Sequence, residues 1–318
     1  MNLMEQIHAA DHSMRGKNIL TWLDYTQGEV SQLLAQAQYV KENPYSQSLK
    51  SKNLAMIFEK SSTRTRVSFE VGMEQMGGHA LYLNSRDIQI GRGETIADTA
   101  RVLSGYVDAI MFRTTSHEKL HELAVHATVP VINGLCDMYH PCQALADIFT
   151  ILELKGRLGG VKVVYIGDGN NVAHSLMVLA AMMGMEMVIS APEGYQPDPA
   201  ITEKAKNLAK LHGGAVIIEN NPEQAVVDAD VIYTDVWTSM GQEEEAEERL
   251  KDFEGYQVNA LLLKGAKTDV SFLHCLPAHR GEEVTADVID GDHSVVFQQA
   301  ENRMHVQKAI LQAVIGWK

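Results

Sequence analysis

Short apolar runs alternate with amphipathic stretches along most of the chain. Thr26-Gln27-Gly28-Glu29 has capping-box spacing, and Val30, Leu33, Leu34, Ala37 and Val40 then recur at helical intervals until Asn43-Pro44. Beyond that first helix, residues 54–58, 80–83, 109–112 and 129–132 read as strands separated by helical patterns. The alternation restarts after a helical segment at 143–154. Gly156, Gly159 and Gly160 punctuate it before the run 161–166, and strands follow at 186–190, 215–219, 231–234, 271–274 and 294–297. Met304, Val306, Ala309, Ile310 and Ala313 mark a last helix. Strands alternating with helices imply parallel sheets covered on both faces. The expected fold class is therefore α/β: two doubly wound parallel-sheet domains joined by helices, with the active site in the cleft between them. The first domain is placed at 1–142 and the second at 143–300, with the segment 301–318 packing back on the first.

Open α/β sheets bind ligands beyond the carboxyl ends of their strands, so the residues just after each strand form a set. In order they are Ser61-Ser62-Thr63-Arg64-Thr65-Arg66, Arg113-Thr114-Thr115, His140-Pro141-Cys142-Gln143, Gly167-Asp168-Gly169-Asn170-Asn171, Asp235-Val236-Trp237-Thr238-Ser239-Met240-Gly241 and His274-Cys275-Leu276-Pro277. The first cluster opens a helix. Its hydroxyls and guanidinium groups, with the unpaired amides of a helix N-terminus, make a phosphate cradle. Helix capping by Ser62 and ordinary surface arginines are the bland alternative for this segment. The three clusters of the first half are rich in cationic and neutral donors; the three of the second carry amide, carboxylate, hydroxyl and thiol groups. Two substrates of different chemistry are implied.

Composition narrows the partners. A chain of 318 residues with a formal net charge of -14 does not favour nucleic acid or an anionic membrane, so any anion site must be local. Cys136, Cys142 and Cys275 show no C-x-x-C spacing, which fits a reducing cytoplasm without a disulfide framework or zinc site. Residues 1–12 lack a signal-like pattern, and the most apolar stretch, 178–191, is interrupted by Gly184 and Glu186. Gly167-x-Gly169 opens like a dinucleotide fingerprint, but position 172 is Val where a third glycine is needed. His117-Glu118 with His121 reads as a charged helical turn, not a metal site. The acidic run 243–248 reads as a solvated helix start. His274 and Cys275 are adjacent on a strand and are expected to point to opposite faces, which leaves Cys275 as a substrate contact or a small buried residue, not half of a dyad. His140 before Pro141 either aims at a ligand or marks a turn.

With these clusters assembled, the chain resembles the aspartate and ornithine carbamoyltransferases over essentially its whole length. Ser62-Thr63-Arg64-Thr65-Arg66 is similar to the family's carbamoyl phosphate signature, and His140-Pro141-Cys142-Gln143 to its second element. Asp235 with Ser239-Met240-Gly241, and His274-Cys275-Leu276-Pro277, resemble the ornithine branch and not the aspartate branch. The resemblance implies that Ser62, Thr63, Arg64 and Thr65 hold phosphate, completed by Gln89 of the Asp87-Ile88-Gln89-Ile90-Gly91 loop, which in family trimers lies near a neighbouring active site. It implies that Arg113, His140 and Gln143 hold the carbamoyl group. Cys275, Leu276 and Arg303 would face the reacting centre, and Asn171, Asp235, Ser239 and Met240 would hold ornithine. Arg113, His140 and Cys275 are the implied catalytic residues. Position 142 is Cys where relatives commonly carry Thr or another small residue.

The activity implied by the resemblance is transfer of a carbamoyl group from carbamoyl phosphate to the δ-amine of L-ornithine, with no cofactor and no metal, in a cytoplasmic homotrimer or an assembly of trimers. Orientation and electrostatic stabilisation can supply the acceleration. The competing readings are a relative acting on putrescine or an acylated ornithine, a nicotinamide dehydrogenase, and a non-catalytic anion-binding protein.

Overall fold

The computed structural model describes residues 14–316 except 91 and 239–242. The chain divides into two compact units: residues up to Phe149 together with those from Glu301 onward, and Thr150–Ala300. No helix among the described residues is long and apolar enough to cross a membrane.

The first unit holds β1 (Asn53–Phe58), β2 (His79–Asn84), β3 (Ala109–Arg113) and β4 (Val131–Leu135), all parallel, in the order β2-β1-β3-β4. The apolar runs of β1 and β3 are buried along their length, as strands covered on both faces require, while the edge strand β2 alternates partial exposure. β4 begins two residues later than its apolar run suggests. Pro130 lacks the N–H that a ladder needs, and the ladder starts beyond it. The register slips between Phe112 and Arg113, so that Arg113 faces Leu135 while Phe112 faces Asn133. The extra residue is Gly134, where a Cβ would stand 2.4 Å from Met111 Sδ. Such an irregularity re-aims the side chain beside it, here Arg113.

Helix Gln27–Glu42 starts on the expected capping box, with Thr26 and Glu29 exchanging bonds. The last helix, Val296–Ile315, passes into the first unit at Glu301 and is bound there by polar side chains. Lys41 Nζ donates to Asn302 Oδ1 at 2.8 Å, Gln312 Nε2 to Ser48 Oγ at 2.6 Å, and Lys308 Nζ to Gln75 Oε1 at 2.9 Å and to the Pro44 carbonyl. Gly72 leaves room for the Lys308 stem, since a Cβ there would lie 3.1 Å from Lys308 Cγ.

The second unit holds β5 (Lys162–Ile166), β6 (Glu186–Ser190), β7 (Ala215–Ile218), β8 (Val231–Thr234) and β9 (Ser271–His274), again all parallel, in the order β7-β6-β5-β8-β9. Val164, Ile166, Ile232 and Phe272 pack with Val258, Val284 and Val288 in one buried cluster. The strand expected at 294–297 does not form. Ser294 makes a single bridge to Phe272, and from Val296 the backbone is helical. Its β-like composition is overridden by the helix that begins there, which leaves Phe297 exposed while Val296 is buried.

Candidate active site

Both sheets reverse strand order once. In the first unit β1 is followed by β2 on one side and β3 on the other, so the switch point lies between the carboxyl ends of β1 and β3, where Phe58 pairs with Arg113. In the second it lies between β5 and β8, where Ile166 pairs with Thr234. Ligands of open α/β sheets sit at such points. The residues singled out from sequence begin immediately beyond both.

Ser62 caps helix Thr63–Gln75, its hydroxyl accepting the Thr65 amide at 3.3 Å. The Thr63 and Arg64 amides have no protein acceptor among the described residues, so they are free for an anion at the positive end of the helix. Thr65 is buried and its hydroxyl accepts from Arg303 Nη2 at 2.8 Å, which leaves the hydroxyl proton to donate outward. Arg113, His140, Gln143 and Arg303 are all buried as well. The Gln143 amide is anchored on Asp147 Oδ1 at 2.8 Å. Burial, reinforced by the Arg303 and Arg113 charges, pushes the His140 pKa well below its ordinary 6.5. A neutral imidazole between two guanidinium groups is a hydrogen-bonding group, not a proton reservoir.

Arg66 takes another role. Its guanidinium lies 3.8 Å from the Tyr82 ring centroid and its Nε reaches Glu70 at 3.2 Å, so it braces helix Thr63–Gln75 against β2. Gln89 is exposed in the loop after β2, and no hydrogen bond joins its side chain to the cradle among the described residues. Cys142 is buried with Sγ 3.6 Å from the Asn133 carbonyl, and burial raises its pKa to about 12; it is a packed thiol.

In the second unit the two glycines after β5 have mechanical reasons to be there. Gly167 has φ 137°, and a Cβ on Gly169 would stand 2.2 Å from the Pro197 nitrogen. Asn170 caps helix Asn171–Met182 with Oδ1 and donates through Nδ2 to Asp235 Oδ2 at 2.9 Å. The other Asp235 oxygen accepts from the Cys275 thiol at 2.9 Å and from the Val236 amide at 2.8 Å. Asn171, Asp235, Cys275 and Leu276 are thus carried on neighbouring strand ends, β5, β8 and β9, and Asp235 is hydrogen-bonded to Cys275. Ser239 and Met240, with Gly241, lie outside the described residues, as do residues 1–12 and Gly91.

His274 and Cys275 lie closer than strict alternation suggests, but His274 Nε2 bonds to Glu283 and the Cys275 thiol to Asp235. β9 ends at His274, and ligand-type atoms of Asp235, His274 and Cys275 lie within 4.8 Å of one another. They still do not form a metal triad. His274 Nδ1 accepts the Leu276 amide at 2.8 Å and Nε2 meets Glu283 Oε1 at 3.0 Å, so both ring nitrogens are engaged.

Two side chains that hold these loops, Glu283 and Arg249, were not singled out in the sequence, and Asn170 was named only as part of the cluster after β5. Arg249 is 6% exposed and donates to Asp168 Oδ2 and the Trp237 carbonyl, each at 2.9 Å, and to Glu245 Oε2 at 3.1 Å. It ties the loop after β5 to the loop after β8. Its only linear trace is the four-residue spacing from Glu245.

Similarity to known proteins also falls into two parts along the chain. Residues 17–153 match the family described as aspartate/ornithine carbamoyltransferase, carbamoyl-P binding domain, and residues 159–314 match its Asp/Orn binding domain. The chain belongs to the aspartate/ornithine carbamoyltransferase family. It is 61% identical over 303 residues to an ornithine carbamoyltransferase of Bacillus subtilis, covering 95% of each chain. It is 59% identical over 316 residues to one from Oceanobacillus iheyensis, covering 98% of each. The ornithine carbamoyltransferase structure from Pyrococcus furiosus superposes with a TM-score of 0.93 at 58% identity, covering 95% of this chain and 98% of that one. An anabolic ornithine carbamoyltransferase from Campylobacter jejuni gives a TM-score of 0.89 at 42% identity, over 93% of this chain and 97% of that one. The carbamoyltransferase match to the Asp/Orn binding domain runs to residue 314, although the chain from Glu301 packs with the first unit.

Proposed function

We propose that this protein has ornithine carbamoyltransferase activity, transferring the carbamoyl group of carbamoyl phosphate to the δ-amine of L-ornithine to give L-citrulline and phosphate. The observation that carries this reading is the chemistry of the two switch points. One offers a capped helix N-terminus with Arg113, Arg303 and a neutral His140; the other offers Asp235 bonded to Asn170 and Cys275.

In this reading Ser62, Thr63, Arg64 and Thr65 hold the phosphate, Arg113, His140 and Gln143 the carbamoyl group, and Asn171, Asp235, Ser239 and Met240 the amino acid. The neutral δ-amine attacks the carbamoyl carbon. Negative charge builds on the carbonyl oxygen, where Arg113, His140 and the Thr65 hydroxyl stabilise it. The tetrahedral intermediate collapses with cleavage of the bond to the phosphate oxygen, the proton shed by the attacking nitrogen leaves on the phosphate, and the arginine cradle retains this leaving group. Cys275, Leu276 and Arg303 line the reacting centre. Whole-length identity to relatives named ornithine carbamoyltransferase supports ornithine over putrescine. The exposed Gln89 is proposed to serve a neighbouring copy in a trimer, and a cytoplasmic location fits three free cysteines.

Colorimetric citrulline formation from carbamoyl phosphate and ornithine tests the reading, with aspartate, putrescine and N-acetylornithine in parallel. Faster carbamoylation of putrescine, or no turnover of any amine, refutes it. The rate should rise with pH as the substrate amine loses its proton; a flat profile from pH 6 to 9 counts against attack by the free amine.

A further inference from the structure

The loop after β9 holds a backbone conformation that its own residues do not favour. Leu276 has φ 59°, in the left-handed region where a side chain crowds its own backbone, and such a residue persists only where its surroundings impose it. Here the restraint is a chain of donors and acceptors with one consistent assignment. The Leu276 amide donates to His274 Nδ1 at 2.8 Å. An amide nitrogen can only donate, so Nδ1 is the bare nitrogen and the ring proton of the neutral imidazole sits on Nε2. Nε2 then donates to Glu283 Oε1 at 3.0 Å, and the same oxygen accepts the His279 amide at 2.7 Å. Glu283 therefore selects the His274 tautomer from one side and fastens the far end of the loop from the other. Both side chains are fully buried, and the His274 amide is itself tied to Gln299 Oε1 at 2.9 Å.

A carboxylate is a costly way to fill buried space. Glu283 Oε2 has no partner among the described residues, and an apolar side chain of similar volume would avoid the desolvation. What an apolar side chain cannot do is accept two hydrogen bonds. The loop so fastened presents Cys275 to Asp235 at 2.9 Å, with Glu283 acting from behind through His274. We propose that Glu283 is a positioning residue for the reacting centre, setting the Cys275–Leu276 turn through the His274 tautomer. The proposal rests on the carbamoyl-transfer reading for the roles of Cys275 and Leu276, but its geometry can be tested without turnover.

Full-length wild type, Glu283→Met and Glu283→Gln should be compared, with thermal melting to establish folding. In Glu283→Met, kcat should fall about tenfold to a hundredfold, the range expected when reacting groups are misplaced by about an ångström, while KM for carbamoyl phosphate changes less than about threefold. Glu283→Gln, whose amide oxygen still accepts, should recover kcat to within about fivefold of wild type. Independently of catalysis, iodoacetamide labelling read by peptide mass spectrometry should show the Cys275 rate in Glu283→Met changed by more than about threefold as the thiol leaves Asp235. A folded Glu283→Met enzyme with wild-type kcat, or with an unchanged Cys275 labelling rate, overturns the proposal. Should that variant fail to fold, nitrogen-15 spectra of histidine-labelled wild type decide: His274 must carry its proton on Nε2, and an Nδ1–H tautomer overturns it. An Nε2–H tautomer and the expected Cys275 labelling, in a protein that makes no citrulline, would refute the functional reading and leave the positioning role standing.

Discussion

Replacing Arg249 with Met removes a guanidinium that joins two ligand-bearing loops, and the structure gives the scale of the loss. The Glu245 leg reaches a largely exposed carboxylate and is worth only a few tenths of a kcal/mol. The Asp168 leg is different, with both side chains mostly buried, at 7% and 13% exposure. Stripping the partner from such a pair costs about 3–5 kcal/mol, because a buried charge is left uncompensated. The lost bond to the Trp237 carbonyl adds to this, but not independently. Burial already pushes the Asp168 pKa above its ordinary 3.8, with Arg249 opposing the rise. In the variant that opposition is gone and the pKa climbs further. A carboxyl whose folded pKa is raised is stabilising when protonated, and that stability is lost as pH rises from the unfolded value through the folded one. The destabilisation by Arg249→Met should therefore be smaller at pH 5 than at pH 8. At pH 8 a loss of about 4 kcal/mol corresponds to a fall in Tm on the order of 10 °C. Calorimetry at both values provides the assay, accompanied by KM for ornithine, which should rise more than KM for carbamoyl phosphate. A Tm within about 3 °C of wild type at pH 8, or an equal loss at both pH values, would refute the reasoning.

Three other outcomes can be checked directly. Arg64→Ala should lower kcat as well as raise KM for carbamoyl phosphate, each by about tenfold or more, and normal turnover at saturating substrate would confine Arg64 to binding. His140 refuses a proton in the folded state that the unfolded chain accepts below 6.5, so wild-type urea midpoints should fall as pH drops from 6.5 toward 5, and His140→Asn should flatten that slope. Burial brings the Lys308 pKa down from 10.5 to about 8; between these values the unfolded chain holds a proton the folded one has lost, so stability should rise with pH across that window and stay level there in Lys308→Met.

Most of the sheet was legible because parallel strands covered on both faces must be written as continuous apolar runs. β1, β3 and β8 show it plainly, their apolar residues buried end to end. The helix start at Ser62 was legible for a local reason: the side chain caps an amide three residues on. Features that depend on long-range contact were not. Nothing near position 303 announces that Arg303 reaches Thr65, 238 residues away; the resemblance alone pointed there. Alternation of side chains could not anticipate the turn at Leu276, because positive φ at a leucine is imposed by His274 and Glu283 and not by leucine itself. Residues 294–297 are β-like in composition, but Val296 is where the last helix begins, so a pattern confined to four residues gave the wrong element. Asn170 and Asn171 are identical in type, and only the cap geometry distinguishes the one that holds Asp235.

The first unit is completed by residues from both ends of the chain, and this has a consequence for synthesis. Thr150–Ala300 is a single uninterrupted stretch, so every residue that unit is built from is made in one continuous run. The unit that precedes it in sequence cannot finish first. Asn302, Lys308 and Gln312 must be translated before Lys41, Gln75 and Ser48 find their partners, and Arg303 before Thr65 does. The second unit needs no residue made after it, whereas the helix that opens at Thr63 gains its bond from Arg303 only after the whole of the second unit has been translated.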